Sequence, residues 1–172
     1  ALSQGIESYW SINSTDESKK YAKEAIKLAI KNIPIAANKP DKKSRIAMSK
    51  AAHLAGKAIN ISKTTACHAI SYPITSYFGV PHGHAVALTL AQMLIYNSQV
   101  TEKDILDGRG VDYVKSIIGE IVALLESNNA EEAGKKIKSL MKDIGLATSL
   151  SRLGIKTKKD VEIIIKNGFN PY

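Results

Sequence analysis

A single cysteine, Cys67, leaves no partner for an internal disulfide, which fits a reducing compartment such as the cytoplasm. Long apolar runs are missing too. The longest, over residues 85–95, is interrupted by Thr89 and Gln92 and falls short of the roughly 20 residues that span a bilayer. No signal-peptide pattern opens the chain, so no membrane is expected as a partner. Aromatics are scarce, with two Phe and one Trp, and both halves are poor in arginine. Nucleic-acid faces interleave such residues with their lysines, so the formal charge of +8 reads as a solvated surface and no nucleic-acid partner is expected. The same charge would attract an anionic substrate. No period-2 strand pattern, internal repeat or low-complexity tract occurs.

What is present is helical. At 172 residues, 44% hydrophobic and 23% charged, the chain can bury one core and reads as one all-α domain over 1–172. Residues 2–10 read as a helix already under way, with no initiating Met, as though cut from something longer. Ser14 with Glu17 makes a capping-box pattern, predicting a helix from there to about residue 33 with Ala22, Ile26, Ala29 and Ile33 inside and Pro34 ending or kinking it. Asp41 is placed as the cap of the next helix, with an inward stripe of Met48, Ala52, Ala55 and Ile59. His53 lies off that stripe and reads as exposed or half-buried. Residues 84–100 are apolar on nearly every side and predict the most buried helix. The loop Asp107-Gly108-Arg109-Gly110 precedes a helix marked by Val114, Ile117, Ile118, Ile121 and Leu125. Asn129 with Glu132 opens another, carrying Ala133, Ile137, Leu140, Met141 and Ile144, with Gly145 as its C-cap. Thr157 with Asp160 starts the last helix and Gly168 stops it.

The chemistry concentrates in residues 60–90, which hold three of the four histidines, the cysteine and the turn Pro81-His82-Gly83. His68 and His82 are too far apart in sequence to share one helix face. Two elements joined by a loop would bring both rings to one point, the usual way a buried metal site is assembled. His82 stands at the start of a helix, where the dipole disfavours imidazolium and keeps the ring in its metal-binding form. From spacing alone, satisfied loop histidines remain the competing reading.

The run Thr65-Ala66-Cys67-His68-Ala69-Ile70-Ser71-Tyr72-Pro73-Ile74-Thr75, followed after Val80 by Pro81-His82-Gly83, resembles the signature of the iron-containing alcohol dehydrogenases, G-x-x-H-x-x-A-H-x-x-G-x5-P-H-G. Both outer histidines match. Thr65 and Thr75 replace glycines, and Tyr72 replaces the middle histidine. The family pattern Asp-x-x-x-His-x-x-Glu is similar to the start of the chain, with Gln4 at the histidine and Glu7 at the glutamate; its Asp would fall one residue before Ala1. Ala52 to Gly56 and residues 146–155 resemble the family as well. Within it, Ser3-Gln4, Ser8-Tyr9-Trp10 and residues 60–65 look most like the phosphonoacetaldehyde reductase branch.

The resemblance implies the helical bundle of the family's C-terminal domain, shared with dehydroquinate synthase-like proteins. It implies Fe²⁺ or Zn²⁺ held by His68 and His82, with Gln4 a weak or indirect ligand, and an aldehyde reduced to a primary alcohol by NAD(P)H in the intact enzyme. Tyr72 is expected to donate a hydrogen bond near substrate, or simply to pack. Lys63, Thr64 and Thr65 are expected to hold a phosphonate dianion; the alternative is that Ser62 and Thr64 cap the next helix and Lys63 is solvated. The chain has no Gly-rich turn for a dinucleotide, because its Asp107–Gly110 loop follows a helix rather than a strand. Alone it is therefore expected to be silent. The rival readings are a basic helical binding module and a non-catalytic scaffold that forms a homodimer through apolar surface.

Overall fold

The computed structural model describes residues 1–168, and no strand occurs among the described residues. Among the described residues eight α-helices follow one another: α1 (Leu2–Trp10), α2 (Asp16–Asn38), α3 (Lys42–Ser62), α4 (Ala66–Phe78), α5 (His82–Ser98), α6 (Val111–Leu124), α7 (Ala130–Asp143) and α8 (Lys158–Gly168), with a 3₁₀ turn, Leu150–Leu153, before the last. The all-α reading therefore holds.

Local signals explain most of the helix boundaries. Asp41 accepts from the Ser44 amide at 2.6 Å, and Asn129 accepts from the Glu132 amide at 2.8 Å, each satisfying a donor that the first helical turn leaves open. Thr157 and Asp160 bond reciprocally in the same way. At the end of α7, Gly145 has φ +77°, and Leu146 N–H reaches back to the Met141 carbonyl at 2.8 Å. That left-handed turn lets the chain reverse after α7.

Several expectations change. The cap of α2 is Thr15, paired with Ser18, not Ser14 with Glu17. Ser14 is drawn away by Arg109, whose guanidinium donates to its hydroxyl and carbonyl at 3.1 Å. Pro34 does not end α2, which runs on to Asn38. The ring removes one backbone donor, yet the turn beyond closes again, with Lys39 N–H on the Ile35 carbonyl at 2.9 Å. The inward face of α3 is Ser44, Ala51, Ala55, Ala58 and Ser62, with Ala52 exposed and Met48 and Ile59 half-buried. α3 lies against both α2 and α1, and methyl-sized side chains allow that double contact where Met and Ile would hold the helices apart.

The main core joins Ile6, Ile26, Leu90, Leu94, Ile121 and Leu125 from α1, α2, α5, α6 and the end of α6. A smaller cluster of Ile74, Val80, Ala85, Ile155 and Ile164 lies among α4, α5 and α8. α5 touches α1, α4, α6 and α7, but it is not apolar-buried all round: Gln92 and Tyr96 face outward. Gly168 is the last residue of α8 rather than a residue beyond it. A Cβ there would stand 3.1 Å from the Ile70 Cα, so the glycine lets α8 close on α4. No helix among the described residues is long and apolar enough to cross a membrane.

The loop before α6 is built on one ion pair. Arg109 grips Asp107 through Nε at 2.8 Å and through a second nitrogen at 2.7 Å, and it donates to the Ser11 carbonyl at 3.0 Å. It thus ties the α1–α2 connection to the start of α6, and Asp107 is buried. The guanidinium holds the Asp107 carboxyl below its usual range. A depressed folded-state value means the stabilisation is present above the unfolded value of about 3.9 and is lost as pH falls below it. Arg109→Ala is expected to cost about 1.5–3 kcal/mol near neutral pH. In urea titrations the gap between wild type and variant should narrow as pH drops below that value; a constant gap would contradict the role of the pair.

Candidate metal and substrate site

Three elements meet where α1 passes the N-terminal ends of α4 and α5. His68 lies on the first turn of α4 and is buried, whereas His82, the first residue of α5, is exposed. The centres of the two rings are 5.3 Å apart, inclined at 62°. Pro81 ends the α4–α5 connection at a fixed φ of −53°, and Gly79, at φ +67°, turns the chain out of α4. Together they let two histidines of distant sequence position face one another.

Each ring is held by its Nδ1. Glu7 of α1, with no exposed surface, places its Oε2 against His68 Nδ1. An ionised carboxylate only accepts, so this nitrogen carries a proton, and in the neutral ring that binds metal Nε2 keeps its lone pair. His82 Nδ1 lies 3.3 Å from Ser71 Oγ. The Ser71 hydroxyl donates to the His68 carbonyl at 2.7 Å, so it accepts from His82, and again Nε2 is the bare nitrogen. Desolvation, followed by the neighbouring His68, lowers the His82 pKa, which favours the neutral ring.

Glu7 does more than meet His68. Its Oε1 accepts from the Thr65 hydroxyl at 2.7 Å and from the amides of Thr65, Cys67 and His68 at 3.1, 3.0 and 3.4 Å. No side chain of α4 itself caps that helix; the carboxylate of α1 does so from outside, at the positive end of the dipole. Burial and, after it, the same charge push the Cys67 thiol well up, which keeps it protonated and unreactive in the metal-free protein.

The remaining residues fall on either side of this centre. Gln4 lies one turn before Glu7 on the same face of α1 and is half-buried. Tyr72 stacks on His82 with ring centres 5.7 Å apart and planes at 15°, and it is 58% exposed. Thr65 departs from its expected part in substrate binding. Its hydroxyl proton goes to Glu7, and its oxygen accepts from Trp10 Nε1 at 2.8 Å, leaving nothing to donate to a dianion. Ser62 is likewise turned inward, onto Ser8 Oγ at 2.7 Å, and neither Ser62 nor Thr64 caps α4. Lys63 is exposed, and its backbone takes φ +63° with ψ 179°, a conformation favoured by glycine and strained for lysine. His84 donates from Nε2 to the Ala147 carbonyl at 2.7 Å, and His53 is exposed on α3. Neither joins the pair.

Glu7 and Ser71 are residues to which the sequence alone assigns no role. The one available signal was the Glu ending the Asp-x-x-x-His-x-x-Glu pattern; Ser71 had none.

These features define a helical domain that converges two imidazoles at an open face. Residues 1–171 match the family described as "Fe-containing alcohol dehydrogenase family, C-terminal", and the chain belongs to that family. It is similar to phosphonoacetaldehyde reductase of Streptomyces viridochromogenes, 40% identical over 134 residues, which are 77% of this chain and 34% of that protein. Long-chain-alcohol dehydrogenase 1 of Geobacillus thermodenitrificans is 29% identical over 90% of this chain and 38% of its own length. Among solved structures, sulfoacetaldehyde reductase from Bifidobacterium kashiwanohense in complex with NAD⁺ superposes with a TM-score of 0.81 at 31% identity, over 99% of this chain and 42% of that one. The chain thus spans less than half the length of these relatives.

Proposed function

We propose that this chain supplies the metal- and substrate-binding wall of an NAD(P)-dependent oxidoreductase that interconverts a primary alcohol with an aldehyde bearing a small tetrahedral anion, a phosphonate or sulfonate. The observation that carries this reading is the convergence of His68 and His82, 5.3 Å apart, each with Nδ1 engaged by the protein. Among the described residues no three His, Cys, Asp or Glu side chains gather as a metal cluster. The donor set nevertheless fits two positions of a divalent cation site, since neutral imidazole nitrogens suit Fe²⁺ and Zn²⁺. Gln4, one turn from Glu7, would add an amide oxygen, a weaker donor for such ions. When bound, the cation would polarise the aldehyde oxygen.

The chain's own residues do the rest of the positioning. Glu7 and Ser71 hold the rings still. Tyr72, stacked on His82, offers a phenol beside the pair as hydrogen-bond donor to substrate. Lys63 and Thr64, at the loop entering α4, meet the anionic end. The glycines at 108 and 110 lie in a loop between helices organised around Arg109, so they do not supply the strand-to-helix turn that cradles a dinucleotide pyrophosphate. The chain alone is therefore proposed to be silent.

The test uses the intact protein and NADH-dependent reduction of phosphonoacetaldehyde, sulfoacetaldehyde and acetaldehyde. Chelation should remove activity, and Fe²⁺ or Zn²⁺ should restore it. Lys63→Ala should lower kcat/KM for the two anionic aldehydes about tenfold and spare acetaldehyde. Tyr72→Phe keeps the stack and should cost about five- to tenfold, one lost hydrogen bond. Indifference to chelation would sink the metal reading; no preference for anionic aldehydes would sink the substrate class.

A further inference from the structure

We propose that Glu7 is the positioning residue of this site, one carboxylate that docks the start of α4 and sets the tautomer of His68 so that Nε2 is left bare. The inference rests on the metal reading above for its purpose, but its geometry stands independently of any cation.

Glu7 is fully buried, and its Oε2 meets the ring of His68, 61 positions away in the chain. A buried carboxylate without a lysine or arginine is expensive unless its oxygens are satisfied. Here they are. Oε1 takes the Thr65 hydroxyl and three amides of the α4 N-terminus at 2.7–3.4 Å, and Oε2 takes the His68 ring. The two oxygens therefore have separate tasks, and both tasks require an acceptor.

That division explains why the residue is a glutamate and not a glutamine. In Glu7→Gln the amide oxygen has to stay with the cluster of N–H and O–H donors, because an NH₂ group there would face donors only. The NH₂ then turns to His68 Nδ1. To avoid opposing two donors, His68 has to give up its Nδ1 proton and carry it on Nε2 instead. The substitution is nearly isosteric and keeps the helix cap, yet it puts a proton on the nitrogen that faces the site. Ligand orientation by a carboxylate behind an imidazole is typically worth 10–100-fold in metal affinity.

The experiment is long-range ¹H–¹⁵N correlation of the histidine rings in the metal-free protein at alkaline pH, with zinc titrations alongside. In wild type His68 should show the proton on Nδ1; in Glu7→Gln it should move to Nε2, and Zn²⁺ should bind 10–100-fold more weakly while unfolding stays cooperative. Glu7→Asp, which keeps an acceptor-only group, should retain the Nδ1–H form. A residue that merely fills space would shift thermal stability without changing the tautomer. Finding the Nε2–H form in wild type, or the Nδ1–H form persisting in Glu7→Gln, would overturn the proposal, and the first of these needs no variant to fold. Failure of zinc to bind wild type would instead remove the metal reading, leaving the ring spectra to decide the part played by Glu7.

Discussion

Glu7→Ala should lower the folding free energy by about 3–5 kcal/mol, the largest loss expected from any polar substitution in the domain. Removing the carboxylate leaves five contacts without an acceptor: three amides at the start of α4, the Thr65 hydroxyl and the His68 Nδ1. An unsatisfied buried donor costs about 1–3 kcal/mol. The sum overshoots because the small side chain lets water into part of the gap, which is why the range stops near five. For a chain of this length about 3–5 kcal/mol corresponds to a fall in Tm of roughly 10 °C. A useful control is Glu120, whose carboxylate accepts from the Tyr9 hydroxyl at 2.6 Å but is itself exposed. Glu120→Ala should cost about 1–2 kcal/mol, since only the one hydroxyl of buried Tyr9 loses its acceptor. If thermal and urea unfolding gave Glu7→Ala no greater loss than Glu120→Ala, the carboxylate would not be what fastens α4 to α1.

The contrast between those two glutamates also shows where reading the sequence succeeds and where it stops. Helix existence and most starts were legible because their causes are local. Asp41 with Ser44, Asn129 with Glu132, and Thr157 with Asp160 lie three residues apart and bond as their spacing suggests. Gly145 ends α7 for an equally local reason. Ser14 misled because two overlapping patterns compete there, and the choice between them is made by Arg109, 95 residues away. The inward face of α3 is not legible in the sequence because its neighbours α1 and α2 decide which alanines are covered, and periodicity admits either stripe.

The candidate site divides in the same way. The spacing of His68 and His82 marked both rings, but only the α4–α5 packing sets them 5.3 Å apart. Thr65 read as a surface hydroxyl beside a lysine; its true partners, Glu7 and Trp10, come from a helix more than 50 positions earlier. Glu7 sits between Ile6 and Ser8, both fully buried, so α1 hides a charge within an otherwise inward-facing stretch. That local conflict of charge with burial is the kind that marks a functional position. Periodicity alone reads it as noise.

The second large effect concerns the open half of the pair. His82→Ala should weaken zinc binding by about 100- to 1,000-fold. Structural zinc sites with four ligands are worth about 10–16 kcal/mol, so one imidazole accounts for roughly 3–4 kcal/mol, or two to three decades in Kd. The variant is clean because His82 is exposed and its ring is bonded to the protein through Ser71 at 3.3 Å; the core under α5 does not depend on it. Gln4→Ala should cost about tenfold or less, since an amide oxygen is the poorer donor. His68→Ala would give a similar affinity loss to His82→Ala but would also leave Glu7 buried without its ring partner, and so should destabilise the fold as well. Competition against a chromogenic chelator separates the three variants, with circular dichroism to follow folding. Equal zinc affinity in wild type and His82→Ala would take His82 out of the site. A stability loss in His82→Ala as large as that in His68→Ala would mean that the exposed ring, too, serves to hold the helices together.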